Sequence, residues 1–276
     1  METFKPSMDW AHELGPSLLW IGQAWAISAV VTMVLLVVLA RYTVWGRQYW
    51  RITGDYFKGR QSVGTWIWLA VLLLSTIISV RLDVLLSYYS NDLFTSLQVA
   101  FQGAGAGNEE IRQSGIHGFW QAIIIFAILA TIYISRVMLD IYFTQRFIIR
   151  WRVWLTDRLT CDWLDDHAYY RPRFTDRDDD NPDQRIQYDI DNFTAGVGSS
   201  PNTPMIGTSA TLLFGAINSL VTVVSFTLIL WNLSGPLTIA GLTLSHALFW
   251  VVLIYVTFAT VIAFWIGHPL IRLSFR

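Results

Sequence analysis

Residues 66–87 read WIWLAVLLLSTIISVRLDVLLS, twenty-two residues whose only charges are Arg81 and Asp83. A helix rises about 1.5 Å per residue, so a run of this length crosses the roughly 30 Å hydrocarbon core of a bilayer. The chain then continues YYSNDLFTSLQVAF to Phe101, with no Gly or Pro before Gly103. Nothing in that continuation stops a helix, so the spacing predicts one helix from Trp66 to about Phe101, nearly twice the thickness of the membrane. A span that runs on well beyond the lipid points to a machine with extensions outside the bilayer rather than to a compact channel.

Working outward, four further segments are long and apolar enough to cross: Leu18–Ala40, Phe119–Leu139, Met205–Trp231 and Ala247–Gly267. The polar stretches between them differ in sign. Residues 41–60 carry Arg41, Arg47, Arg51, Lys58 and Arg60 against Asp55, residues 146–185 carry eight Arg, and the tail carries Arg272 and Arg276. Of Lys and Arg the stretch 88–118 has only Arg112, and 232–246 has none and no charge beyond a protonated His246. Short loops rich in Lys and Arg stay cytoplasmic, so the predicted chain starts outside and ends inside. Trp45, Trp50, Trp66, Trp68, Trp231 and Trp250 fall at predicted interfaces, where amphipathic rings sit well. The composition agrees: 54% hydrophobic, 14% charged and a formal net charge of -1, which gives no sign of nucleic-acid binding. The N-terminus lacks the basic start of a cleaved signal peptide. The single Cys161 excludes an internal disulfide framework and reads as an ordinary buried small residue.

The third span also overruns. Trp151, Trp154, Leu155, Arg158 and Leu159 keep helical spacing, and Pro172 is the first breaker. Beyond it lies DRDDDNPDQRIQYDID, residues 176–191. Asp176, Asp178 and Asp180 resemble the opening of a calcium loop. Such a loop needs Gly at position 6 and Glu at position 12. Counted from Asp176 those positions hold Asn181 and Gln187; counted from Asp179 they hold Gln184 and Ile190. Counting from Asp178 puts Pro182 at a ligand position. A helix start fits instead: Asn181 as N-cap, Pro182 in the first turn, and Gln184 placed for a capping-box exchange. The acidic run and Asp183 sit at the positive end of the helix dipole. Ile186, Ile190, Phe193 and Val197 then form one apolar face. GVGSSPNTP (196–204) predicts a break before the next span, read either as a mobile elbow or as a cavity lining.

Charged groups inside spans default to function. Arg81 and Asp83 point to different faces and are read as lining a polar cavity, with Tyr88, Asn91 and Asp92 extending it outward. Arg136 and Asp140 have two readings, an ion pair within one helix near the interface or part of the same pathway. No G-x-x-x-x-G-K-[ST] loop occurs, the five His are scattered, and no metal or hydrolytic centre is expected. GAGAG, Gly103–Gly107, reads as a flexible outer loop.

WRVWLT (151–156), YYR (169–171), NPDQRIQYD (181–189) and RLSFR (272–276) together resemble the SbmA/BacA-like transporters, and among them the mycobacterial-type BacA, whose membrane domain is fused to an ATPase domain. These are similar in turn to the membrane domains of peroxisomal fatty-acyl ABC transporters. The likeness covers most of residues 18–276. It implies an all-α, ABC-exporter-like (type 1) transmembrane domain of about five spans, incomplete, working as a homodimer in the inner membrane. It also implies import of bulky hydrophilic cargo such as peptides, bleomycin-like glycopeptides or cobalamin by alternating access. Tyr169, Tyr170, Arg171, Asn181, Pro182, Asp183, Gln184, Arg185 and Asp189 would form the cytoplasmic coupling motif against a nucleotide-binding domain. That domain, fused or separate, would bring ATP and magnesium, with no cofactor in this chain. Arg81, Asp83, Asp92, Arg136 and Asp140 would line the cargo pathway. The expected organisation is an extracytoplasmic segment (1–17), a leading span with a basic elbow (18–64) and the transporter domain (65–276), with its last two core helices and the ATPase beyond the chain, as in a fragment or truncated gene. Two alternatives stay open: an SbmA-type proton-driven peptide transporter without ATPase, and a truncated membrane protein that transports nothing.

Overall fold

The computed structural model describes residues 3–58, 62–165, 182–194, 209–233, 237–239 and 242–274. In chain order these form α1 (Leu14–Tyr42), α2 (Val44–Thr53) with a short 3-10 turn (Gly54–Phe57), α3 (Val63–Gly105), α4 (Glu109–Leu164), α5 (Pro182–Thr194), α6 (Ser209–Leu233), β1 (Leu237–Ile239), β2 (Leu242–Leu244) and α7 (Ala247–Ser274). Four of them, α1, α3, α4 and the Phe249–Gly267 part of α7, are long and apolar enough to cross a membrane; in α6 the stretch Gly215–Trp231 is a shorter apolar helix.

Residues up to Ser219 form one compact unit. Its frame is the antiparallel pair α3–α4, of 43 and 56 residues, about 65 and 84 Å at the helical rise. The predicted overrun of both helices is present and exceeds expectation. GAGAG is a loop only in its last two residues: α3 continues to Gly105, and α4 begins at Glu109, ten residues before the predicted span. Three residues make the turn. Gly107 takes φ 65°, a conformation that glycine adopts without cost. Asn108 caps α4, its Oδ1 accepting from Glu110 N (3.1 Å) and Ile111 N (3.2 Å). Gly103 and Gly115 let the two backbones touch, since a Cβ on either would run into Arg112 or Ala100 backbone of the facing helix. At the far end, α4 stops at Leu164, before Pro172 is reached, and Cys161 on its last turn is exposed rather than buried, since nothing among the described residues covers that face.

α1 lies along α3, with Trp25 Nε1 donating to the Ala70 carbonyl at 3.1 Å. One extended residue, Thr43, separates α1 from α2; its hydroxyl donates to Leu39 O (2.6 Å) and accepts from Gly46 N (3.1 Å). Two cores pack the unit. Leu72, Phe147 and Trp151 gather Tyr49, Tyr56, Trp68, Phe143, Trp154 and Phe193 at the basic end, while Leu82, Leu85 and Leu129 gather Met8, Trp10, Tyr89 and Ile125 towards the α3–α4 turn.

The second unit runs from Leu220 to the C-terminus. Between its helices the predicted loop 232–246 holds a two-stranded antiparallel hairpin, Ile239 opposite Leu242 and Leu237 opposite Leu244. Alternating Thr and branched apolar residues around Ala240-Gly241 favour it, so the all-helical expectation holds except here. His246 follows with φ 56°, its ring stacked on Trp231 (4.1 Å) and Nδ1 2.9 Å from the Trp231 carbonyl oxygen.

Candidate functional site

In the middle of α3, Ser75, Ser79 and Asp83 recur every four residues and so share one face of an otherwise apolar helix. Arg136 and Asp140 share a face of α4 in the same way. The fold brings the two sets together. Ser75 Oγ donates to Asp140 Oδ1 at 2.6 Å, Arg136 Nη1 donates to Ser79 Oγ at 2.9 Å, and Arg136 Nη2 lies 3.7 Å from Asp140 Oδ2. Arg136 and Asp140 thus pair within α4, as one of the two readings had it, and the pair also grips α3. Among lipid-facing helices, such polar contacts and small residues supply the association that apolar burial cannot. Asp83 is half-buried and has no hydrogen-bond or ion-pair partner among the described residues; Arg136 is the cation that acts on it. A carboxylate so placed needs water, a proton or a bound cation.

Arg81, two residues before Asp83, is turned elsewhere. Its guanidinium bridges Glu13 of the N-terminal segment, Nε donates to Ser17 Oγ at 3.0 Å, and the group lies 5.5 Å from the Trp20 ring centroid. Ser17 Oγ donates to Glu13 at 2.9 Å and completes the cluster. Asp92, only 4% exposed, also faces the N-terminal segment: it accepts from Ser7 N and Trp10 Nε1, both at 2.8 Å. Phe4 N donates to Ser114 Oγ at 3.0 Å, and the Phe4 ring covers Gly118. Arg81 and Asp92 therefore fasten residues 4–17 to α3, while Asp83, Arg136 and Asp140 form a separate cluster between α3 and α4. Composition flagged these charges, but Glu13, Ser17, Ser7 and Trp10 are missing from the sequence reading because they lie 64 to 85 residues away along the chain. For the second cluster a signal existed: Ser75, Ser79 and Asp83 keep helical spacing.

At the basic end, α5 packs back on α4. Phe193 meets Trp151 (5.3 Å) and Tyr49 of α2 (5.5 Å), Ile190 is buried, and Arg152 Nη1 pairs with Asp191 Oδ1 at 2.7 Å. Arg158 Nη1 pairs with Asp55 Oδ2 at 2.6 Å and ties α4 to the turn after α2. The helix predicted from NPDQR is thus present from Pro182, with Ile190 and Phe193 on its inner face. Gln184 and Asp189 are exposed. Pro182, Asp183 and Arg185 lie in its first turns. Tyr169, Tyr170, Arg171, Asn181 and the predicted break at 196–204 lie outside the described residues, as does Val197. Burial raises the Tyr56 hydroxyl pKa, opposed by a hydrogen bond with Thr65 and by Arg150. Among the described residues no three His, Cys, Asp or Glu converge as a metal site.

Residues 52–276 match the family described as ABC transporter transmembrane region 2. An ABC transporter ATP-binding protein of Haemophilus influenzae is 33% identical over 268 residues, 97% of this chain but 41% of the relative. The inner membrane ABC transporter ATP-binding protein YddA of Escherichia coli is 27% identical over 211 residues, 75% of this chain and 32% of its own length. ABC transporter D family member 2 of Arabidopsis thaliana, described as chloroplastic, is 22% identical over 233 residues, 84% and 28%. The chain spans about two fifths of the length of the Haemophilus relative. Two long apolar helices that exceed the thickness of a bilayer and this match agree: the chain is a membrane protein and belongs to the ABC transporter transmembrane region 2 family.

Proposed function

We propose that this chain is the membrane part of a dimeric importer that moves bulky hydrophilic compounds, such as peptides, glycopeptides or cobalamin, across the inner membrane by alternating access. Its N-terminus lies outside and its basic end in the cytoplasm. Residues 1–17 are extracytoplasmic, 18–64 form a leading span and elbow, and 65–276 belong to the transport domain. The observation that carries the reading is the pair α3–α4, which extends well past the bilayer and binds α5, the helix whose first turns hold Pro182–Arg185 of the NPDQR motif. That segment, with Tyr169–Arg171, Asn181–Arg185 and Asp189, is where a nucleotide-binding domain carrying ATP and magnesium would push. The relatives are named as ATP-binding proteins, which supports coupling to ATP. Asp83, Arg136 and Asp140 face the cargo route, and Arg81 and Asp92 hold its outer rim.

A second reading, proton-driven uptake, draws on Asp83, the half-buried span carboxylate with no partner among the described residues. Proteoliposomes containing the intact protein decide between them. Uptake of labelled cobalamin or peptide that needs ATP supports the first reading. Uptake driven by a pH gradient alone, and lost in Asp83→Asn, supports the second. No uptake under either condition overturns both.

A further inference from the structure

Four arginines stand on the last turns of α4, and they divide into two kinds. Arg152 and Arg158 are bound to carboxylates, Asp191 and Asp55. Arg146 and Arg150 have no carboxylate within ion-pair distance among the described residues. Both are exposed, and both are laid against the indole of Trp68 on α3, their guanidinium carbons 5.4 and 5.6 Å from the ring centroid. Arg146 Nη1 also donates to the Tyr142 hydroxyl at 2.7 Å. We propose that Arg146 and Arg150 form a binding site for the phosphate headgroup of an anionic phospholipid.

Depth supports that occupant. Trp68 lies two residues beyond Trp66, whose Nε1 donates to the Phe57 carbonyl at 3.2 Å and whose ring packs on Phe57, itself stacked on Trp50. Such a belt of rings marks the headgroup level of a membrane. The apolar stretch of α4 ends near Leu139, so Arg146 stands about 10 Å further along the axis, at the same level. Met138 and Leu139, two turns towards the membrane from Arg146 and 62% and 54% exposed, keep the helix surface below the arginines apolar, as acyl chains require. Chemistry supports it too. An indole face holds a guanidinium by cation–π attraction while leaving its N–H edge free, and that fork matches two phosphate oxygens. Held on one ring, the two like charges are ordered before the ligand arrives, and a phosphate between them relieves their repulsion.

This site does not depend on the transport reading. The intact protein in detergent micelles is titrated with phosphatidylglycerol or with phosphatidylcholine, and bound lipid is counted by native mass spectrometry. The expected result is retention of phosphatidylglycerol over phosphatidylcholine by wild type, and a loss of roughly tenfold or more in Arg146→Gln/Arg150→Gln. Trp68→Phe, a milder change that keeps both charges, is expected to weaken retention less. Equal retention of both lipids by wild type, or unchanged phosphatidylglycerol retention in both variants, overturns the proposal. So does displacement of the lipid by millimolar inorganic phosphate, which would mark a free-phosphate site.

Discussion

The two ends of the α3–α4 pair are held by different chemistry. At the basic end four elements converge, and rings fill the space between them: Trp151, Phe193, Tyr49, Tyr56 and Trp154 with Leu72 and Phe147. At the turn end, among the described residues, two helices and the segment 4–10 meet. The apolar cluster on this side, Leu82, Leu85 and Leu129 with Met8, Trp10 and Tyr89, lies short of the turn itself. The backbones close on glycine instead, and one buried carboxylate, Asp92, anchors the crossing segment. Stability at the basic end is therefore spread over apolar area, while at the turn end it is concentrated in a few polar atoms.

Breaking the ring core gives the largest expected effect. Trp151, 2% exposed, touches Phe147 and Phe193, and Trp151→Ala removes the centre of the cluster. It is expected to cost about 3–5 kcal/mol, seen as a lowered unfolding midpoint in detergent. An unchanged midpoint would mean that the rings fill space without holding the end together.

Asp92→Ala comes next. It leaves the Ser7 amide and the Trp10 indole N–H without their acceptor, at about 1.5–3 kcal/mol for hydrogen bonds to a charged group. Hydrogen exchange at residues 7–10 is expected to accelerate while exchange in α5 stays as it was. Asp92→Asn, which keeps one carbonyl acceptor, is expected to recover part of the protection. Acceleration at both ends would show that they form one cooperative unit.

The smallest effect concerns the first turn of α4. Hydrogen bonds from Gln113, then from Arg112, lower the Glu109 pKa. A depressed folded-state pKa means that the contribution is present above the ordinary value of 4.5 and is lost as pH falls through the lowered one. The carboxylate is fully exposed, so only local fraying is expected, read as faster exchange of the amides of Glu110–Arg112 in acid. Glu109→Gln is expected to exchange fast at every pH. The same pH response in that variant would assign the fraying to another group.

Much of the frame was legible. Apolar runs of sufficient length, the absence of breakers and the Asn-Pro start are local features, and α1, α3, α4, α5, α6 and α7 lie where they predict. The turn at Gly103–Asn108 was misread because glycine density resembles a loop, whereas Gly103 and Gly105 stay helical and Gly103 serves close helix contact. The hairpin 237–244 was passed over because strands of three residues leave a faint pattern. Among the site residues, the Arg136–Asp140 pair was readable from its i, i+4 spacing, and its grip on Ser75 and Ser79 was not.

By itself the sequence determined that this is a membrane protein of long helices, with a basic end and an acid-flanked helix start. Those properties follow from hydropathy, charge sidedness and local backbone preference, which need no knowledge of neighbours. The tertiary structure decided which charges meet. Arg81 goes to Glu13, Asp92 to Ser7 and Trp10, Arg136 to Ser79, and Asp83 has no such partner among the described residues. The physical reason is distance along the chain: an ion pair in a low-dielectric span is selected by which helices touch, and contact between helices is a property of the packed molecule.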